Sequence, residues 1–328
     1  MESRGTNNKI IVILGPTSSG KSSVAIKLAK KFNGEIISAD SRQVYRGLDI
    51  GAGKEPGYWD KNKKVYISSK IPHYLIDIVS PKTLFNASNF KKKADKIITN
   101  ILKRGKIPIV CGGTGFWIKA LVDNVVYPEV APNWKLREKL EKKSIENLFL
   151  MLEKLDPNRA KNIDAKNPVR LIRAIEICKS IGKVPEIKCH PELVSGSKKK
   201  IEMPNQVRHD NSYDFLQIGL SLSKEKLHQN IKKRLRNRFN AGMIEEVRKL
   251  HFENKISWKR LKSFGLGYSI IPKYLKEKNN DKEKLFQEIL QAEKNYAKRQ
   301  MTWFQKDKRI VWLKNYKDIE NNVGNFLR

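Results

Sequence analysis

The sequence predicts an α/β fold with a mainly parallel sheet, interrupted by a helical insertion. Three observations predict it. Short β-branched apolar runs alternate with helical patterns over the first 122 residues. Three of those runs end in polar segments, 15–22, 40–43 and 112–115, and ligands bind at the carboxyl ends of strands in such sheets. Beyond Leu121 the apolar spacing turns helical for a long stretch, and a strand pattern then returns.

Lys9–Leu14 is an apolar run that stops at Gly15, as a short buried strand does. Val24, Leu28 and Phe32 recur at helical spacing, which predicts a helix over 22–32. A second strand is expected over 35–38, ending in Ala39-Asp40-Ser41-Arg42. Residues 74–79 and 106–111 read as two more strands, with a helix over 89–103 between them. Helices follow over 134–143, Ile145–Leu155 and Pro168–Ile181, after which 215–222 (FLQIGLSL) alternates as a strand. From Lys224 onward the pattern is helical, apart from a strand at 309–313. The economical organisation is a core of residues 1–122 and 213–328, a helical insertion at 123–188, and an extra insert at 189–212.

The 328 residues carry 67 Lys+Arg against 34 Asp+Glu, a net charge of +33. That surplus favours a polyanionic partner but does not name it, because charged runs also solvate helix faces. Seven of the basic residues fall between Lys224 and Phe239; on a helix they cannot all share the face of Arg234. No apolar stretch approaches the roughly 20 residues of a membrane span, and no secretory signal is visible, so no membrane association and a cytoplasmic location are expected. Cys111, Cys178 and Cys189 form no CxxC pair, which argues against a disulfide scaffold or a zinc site.

Gly15, Pro16, Thr17, Ser18, Ser19, Gly20, Lys21 and Ser22 match G-x-x-x-x-G-K-[ST] between a strand and a helix. This makes the core P-loop NTPase-like. Glycines allow a tight path, successive N–H groups turn inward, and the helix that follows favours an anion. Lys21 adds a point charge, and the Ser22 hydroxyl is the candidate ligand for Mg²⁺. The motif leaves open whether the phosphates belong to ATP or to another diphosphate ester. Asp40, at the end of the second strand, is positioned to take a proton or to hold a metal-bound water; capping a turn is the alternative. Thr114 lies in Gly112-Gly113-Thr114-Gly115 at another strand end, where a plain turn is equally open.

GPTSSGKS, ISADSRQVYRGLDIGAGK (37–54) and IVCGGTGFWIKAL (109–121) resemble the tRNA dimethylallyltransferases, the isopentenyltransferases that modify tRNA. So do DPNRAKNIDAKNPVRLIRAIEI (156–177), RFNAGMIEEVRKL (238–250) and AKRQMTWF (297–304). The resemblance implies transfer of a dimethylallyl group from dimethylallyl diphosphate to N6 of adenosine 37, beside the anticodon of tRNAs reading codons that begin with U. It implies that the cradle holds the diphosphate leaving group with Mg²⁺. By the same likeness Asp40 is the general base, Thr114 bonds near the scissile C–O bond, and Arg234 stabilises the departing diphosphate. Its tRNA-contacting positions fall on Asp40, Ser41, Arg42, Gln43, Thr114, Arg137, Val169, Arg170, Leu171, Ile172, Arg173, Lys298, Arg299 and Gln300. The helical insertion would clasp the anticodon stem, the target base would flip into the core, and the protein would act as a monomer.

Three positions depart from the family pattern. Asp164-Ala165-Lys166-Asn167 stands where His-Pro-x-Asp is frequent, and Phe264 where an arginine is frequent. Glu293-Lys294 replaces a common threonine–arginine pair. All three are expected at RNA contacts, away from the reaction centre. The ends of the 189–212 insert are related as an inverted repeat would relate them, which suggests an in-frame mobile element forming a neutral surface excursion. Rival readings are a P-loop nucleotide or small-molecule kinase, an adenylate isopentenyltransferase, and a non-enzymatic RNA-binding module. The kinase leaves GGTGFWIKAL and AKRQMTWF unexplained.

Overall fold

A computed structural model describes residues 8–185, 213–277 and 281–328. Among them, eight strands build one sheet: β1 (Lys9–Leu14), β2 (Gly34–Ser38), β3 (Tyr58–Asp60), β4 (Val65–Ser68), β5 (Ile71–Tyr74), β6 (Ile107–Gly112), β7 (Asp214–Leu220) and β8 (Val311–Leu313). Their order is β3-β4-β5-β2-β6-β1-β7-β8. Pairing is parallel from β5 through to β8, and the β3, β4 and β5 pairs are antiparallel. Ile10, Ile11, Val12, Ile13 and Leu14 are all fully buried, because a central parallel strand is covered on both faces.

The helices are α1 (Lys21–Lys31), α2 (Ala87–Lys103), α3 (Gly115–Val122), α4 (Trp134–Glu141), α5 (Ile145–Leu155), α6 (Pro157–Lys161) and α7 (Pro168–Ile181). There follow α8 (Lys224–Asn240), α9 (Met243–Phe252), α10 (Trp258–Ser263), α11 (Gly267–Lys276), α12 (Lys282–Phe304) and α13 (Tyr316–Leu327). Helix α2 begins where Asn86 and Asn89 cap one another's backbone and buries Phe90, Ala94, Ile98 and Ile101 at helical spacing. Helix α1 lays Ala25, Leu28 and Ala29 against Ile11, Ile13, Ile36 and Ile109 of the sheet, with Ile319 and Val323 of α13 in the same core. Strands β2 and β7 flank β6 and β1 on opposite sides, so the chain reverses its direction of travel across the sheet beside β1. Ligands bind at such a reversal.

The described residues divide into two compact units, one holding 8–122 and 213–328, the other 123–185. In the second unit α4, α5, α6 and α7 enclose Leu140, Leu148, Leu152, Ala160, Leu171 and Ile175. Side chains of Asn133, Ser144, Asp156 and Asn167 cap these four helices at their N-termini. No described helix is long and apolar enough to cross a membrane.

One expectation needs correction. Residues 74–79 are not a strand: β5 stops at Tyr74, because Leu75 and Asp77 take left-handed φ values of 62° and 56°. Val79 keeps only an isolated bridge to Tyr45. Strands β3 and β4 had no clear pattern in the sequence; β3 is a short edge strand with Tyr58 64% exposed, and β4, only four residues long, is buried between β3 and β5. The proposed surface excursion at 189–212 lies outside the described residues.

The carboxyl ends of β2 and β6 touch so closely that a Cβ on Gly112 would collide with the carbonyl of Ala39. Both partners are backbone of neighbouring strands, so relief requires the strands to part. Gly112→Ala is expected to cost about 2 kcal/mol of stability, within the range of overpacked cores. Urea denaturation measures this; an unchanged midpoint would show that the strands yield freely.

Candidate active site

The cradle runs from the end of β1 to the start of α1. Its geometry depends on Gly20, which caps α1 at φ 90°, a conformation open to glycine. Lys21 Nζ donates to the Pro16 carbonyl at 2.6 Å. Burial lowers the Lys21 ammonium to about 8, with Arg234 pushing the same way and Cys111 and Asp40 resisting. The hydroxyls of Ser18 and Ser19 are buried without a hydrogen-bond partner among the described residues. Buried polar atoms are rarely left so, and two together in an N–H-lined loop suit phosphate oxygens.

Three other elements close on this loop. From α8, Arg234 donates to Thr17 Oγ1 and to the Gly53 carbonyl, both at 3.1 Å, and Asn230 donates to the Ser18 carbonyl at 3.3 Å. Burial and the neighbouring Arg238 lower Arg234 to about 10. From α12, the Gln300 amide accepts the Thr17 N–H and donates to the Gly113 carbonyl, each at 2.8 Å. From β2 and β6, the Ser41 N–H donates to Thr114 Oγ1 at 3.0 Å, and the Thr114 N–H to the Ala39 carbonyl at 3.2 Å. Asp40 Oδ1 accepts the Arg42 N–H at 2.9 Å, which orients the carboxylate. The Arg42 guanidinium lies over Tyr296, 5.0 Å from the ring centroid. Burial opposes the Arg42 charge, yet Asp40 and its neighbours hold that guanidinium above its ordinary value.

Asp40, Thr114, Arg234 and the cradle are thus brought together within one network. Gln43 is tied into it too, taking the Ser38 hydroxyl at 2.8 Å and donating to the Gly53 carbonyl at 3.3 Å. Ser22, in the first turn of α1, is partly buried.

Several expected RNA-contacting side chains lie elsewhere. Leu171 and Ile172 are 0% and 7% exposed and face the core of the second unit, because their helical phase puts them on the apolar side of α7. That helix turns Val169, Arg170 and Arg173 outward instead. Gln300 is buried with its amide engaged by the cradle, whereas Lys298 and Arg299 line a hollow with Thr302, Trp303 and Lys306. Glu293, read as part of an RNA-facing pair, is 1% exposed and bonded to Arg238. Phe264 packs on Tyr45 and beneath the Arg260 guanidinium, 4.4 Å from its ring.

In the second unit Glu176 gathers two of the expected tRNA contacts. Its carboxylate accepts from Arg137 at 2.9 and 2.7 Å, from Arg173, and from the Asn133 N–H at 2.6 Å. Burial works against its charge, but these donors hold the carboxyl down at about 2.

Sequence reasoning missed Glu246. Its carboxylate accepts the N–H groups of Asp49, Ile50 and Gly51 at 2.8, 2.6 and 3.0 Å, together with the Tyr268 hydroxyl at 2.7 Å. Those bonds hold the loop whose Gly53 carbonyl meets both Arg234 and Gln43. The signal available was the GMIEEV run itself, quoted above without a role for its acid.

The model of a family described as IPP transferase matches residues 43–307, beginning just after Asp40. A tRNA dimethylallyltransferase of Acetivibrio thermocellus is 40% identical over 93% of this chain and 91% of its own. The structure of the full-length tRNA isopentenylpyrophosphate transferase of Bacillus halodurans is similar with a TM-score of 0.66 and 29% identity. That match covers 98% of this chain and 97% of the other. A eukaryotic dimethylallyltransferase described as acting on tRNA is similar with a TM-score of 0.71 and 25% identity, covering 97% of this chain and 77% of its own. The chain belongs to the IPP transferase family.

Proposed function

We propose that this protein transfers a dimethylallyl group from dimethylallyl diphosphate to N6 of adenosine 37 in tRNAs that read codons beginning with U. The observation that carries the reading is the meeting of the cradle with Asp40 and Thr114 at the ends of three neighbouring strands. The family relatives named above act on tRNA by their descriptions, which supports the acceptor class.

The chemistry divides among side chains of this chain. The N6 amine attacks the allylic carbon, and the carbon–oxygen bond to the diphosphate breaks. Asp40 takes the N6 proton; the bonding pair leaves with the diphosphate. Thr114 Oγ1 already accepts from Ser41, so its own proton is the one a substrate oxygen can receive. Lys21, Arg234 and the loop N–H groups answer the charge that gathers on the leaving group. The orphaned Ser18 and Ser19 hydroxyls fit two more of its oxygens. Among the described residues no cluster of three His, Cys, Asp or Glu could cage a metal. Mg²⁺ would instead be held by the Ser22 hydroxyl with water and the diphosphate, the usual manner for this cation. When bound it neutralises diphosphate charge.

In the tRNA, the adenine must leave its loop to meet Asp40, at a cost of a few kcal/mol. Arg170, Arg173 and Val169 on one unit, and Lys298 and Arg299 on the other, are the side chains proposed to grip the RNA. Arg137 joins them through its pairing with Glu176.

Purified protein incubated with Mg²⁺, dimethylallyl diphosphate and unmodified tRNA, without ATP, should yield dimethylallyl-adenosine by nucleoside mass spectrometry. Absence of product from well-folded protein would refute the reaction. Asp40→Ala should lower turnover roughly 10²–10⁴-fold, the usual worth of a general base, while tRNA binding persists. Full turnover by that variant would remove Asp40 from the role.

A pH dependence follows from Lys21. Its ammonium, at about 8 in the free protein, is raised by a bound diphosphate, so binding takes up a proton. Affinity for dimethylallyl diphosphate should be level from pH 6.5 to 7.5. Above pH 8 it should fall by up to about tenfold per unit. Calorimetric titration across pH 6.5–9.5 tests this; constant affinity would place Lys21 outside the binding step.

A further inference from the structure

Arg234 is not alone on the inward face of α8. Arg238, one turn further on, is 8% exposed and reaches the same place: a Cβ on Gly53 would collide with Nη2 of both guanidiniums. Two like charges meet there under cover. Among the described residues, the carboxylate paired with either of them is Glu293, whose Oε1 accepts from Arg238 Nη1 at 2.8 Å. Glu293, Asp40 and Glu55 act on Arg234 only through space. The pairing is incomplete. Arg238 Nε and Glu293 Oε2 are both buried without a partner, although a two-bond contact is the arrangement that best stabilises such a pair.

We propose that Glu293 is the internal counter-anion of the diphosphate site: by occupying Arg238 beside Arg234 it limits how tightly the leaving group is held, and so favours its release. This rests on the reading of the cradle as a diphosphate site. Glu293 is a positioning residue; it acts through Arg238. An anion entering the cradle meets Arg234, which no carboxylate bonds directly, and Arg238, which one already does.

The test is the affinity of the full-length protein for inorganic pyrophosphate with Mg²⁺, measured by calorimetry. Glu293→Gln removes the competing negative charge and frees Arg238, and both effects act in one direction. Pyrophosphate should bind about tenfold tighter, the scale of one unit charge acting across a partly screened interior. A residue that merely supports the fold would weaken binding when lost. The double variant E293Q/R238Q removes one charge of each sign and should return to within about threefold of the parent. Unchanged or weaker binding by a cooperatively melting E293Q overturns the proposal. Should E293Q fail to fold, R238Q gives the reverse reading: binding should weaken, and equal or tighter binding overturns it. Failure of the parent protein to bind pyrophosphate would instead defeat the reading of the cradle.

Discussion

Positive charge enclosed at the carboxyl edge of a sheet is the constraint from which the rest of the site follows. Water would stabilise Lys21 and Arg234 better than this interior does, and burial accordingly lowers both, to about 8 and about 10. Their hydrogen bonds go to the Pro16 and Gly53 carbonyls and to the Thr17 hydroxyl. Neutral dipoles orient cations but do not cancel them. The site therefore gains most from a ligand that brings negative charge, and a diphosphate answers that need in a way a neutral substrate would not. The same logic explains why two serine hydroxyls can remain orphaned: donors facing an anion are satisfied by it.

Charges held so close need a rigid frame. The loop from Asp49 to Gly53 supplies it, because its N–H groups converge on Glu246 while its Gly53 carbonyl faces Arg234 and Gln43. Lys54, next in the chain, is buried against Asp49, Asp77 and the Tyr45 carbonyl. Tyr268 fills the space that a side chain on Gly51 would occupy and donates to Glu246. A carboxylate outside the reaction centre thus fixes a loop, the loop fixes a carbonyl, and the carbonyl sets the angle of a guanidinium. Each link is short-range and directional, so small displacements do not average out.

The strands that position chemistry were legible because they are central. β1, β2 and β6 are buried on both faces, and burial on both faces writes a continuous apolar run into the sequence. The edge strand β3 writes no such pattern, and β4, buried but only four residues long, is too short to show one; both were missed. The false strand at 74–79 failed for a different reason: Leu75 and Asp77 adopt left-handed backbone that no apolar pattern encodes. Among site residues, the cradle, Asp40 and Thr114 were visible as punctuation at strand ends. Glu246 and Glu293 were not, since each is an acid on a helix whose partners, the loop at 49–51 and Arg238, lie far from it in the chain. A motif taken whole also overreaches. The run from Val169 to Arg173 spans more than one helical turn, so Leu171 and Ile172 had to point inward while Arg170 and Arg173 point out.

The pairing pattern also limits what a net charge of +33 can mean for RNA. Affinity for a polyanion comes from cations that exchange small ions for phosphates, and a cation already bonded to a buried carboxylate has little left to exchange. Arg238 is of that kind. Arg137 and Arg173 are intermediate: Glu176 fixes both, yet about a quarter of the Arg137 side chain and a third of that of Arg173 remain exposed. Two arginines sharing one carboxylate keep one net positive charge, and a fixed guanidinium loses little entropy on meeting a phosphate. Such a pair reads position more than it adds attraction. In the proposed reading, freely solvated lysines supply the general pull that brings a polyanion close, and the few arginines held in place decide where it docks.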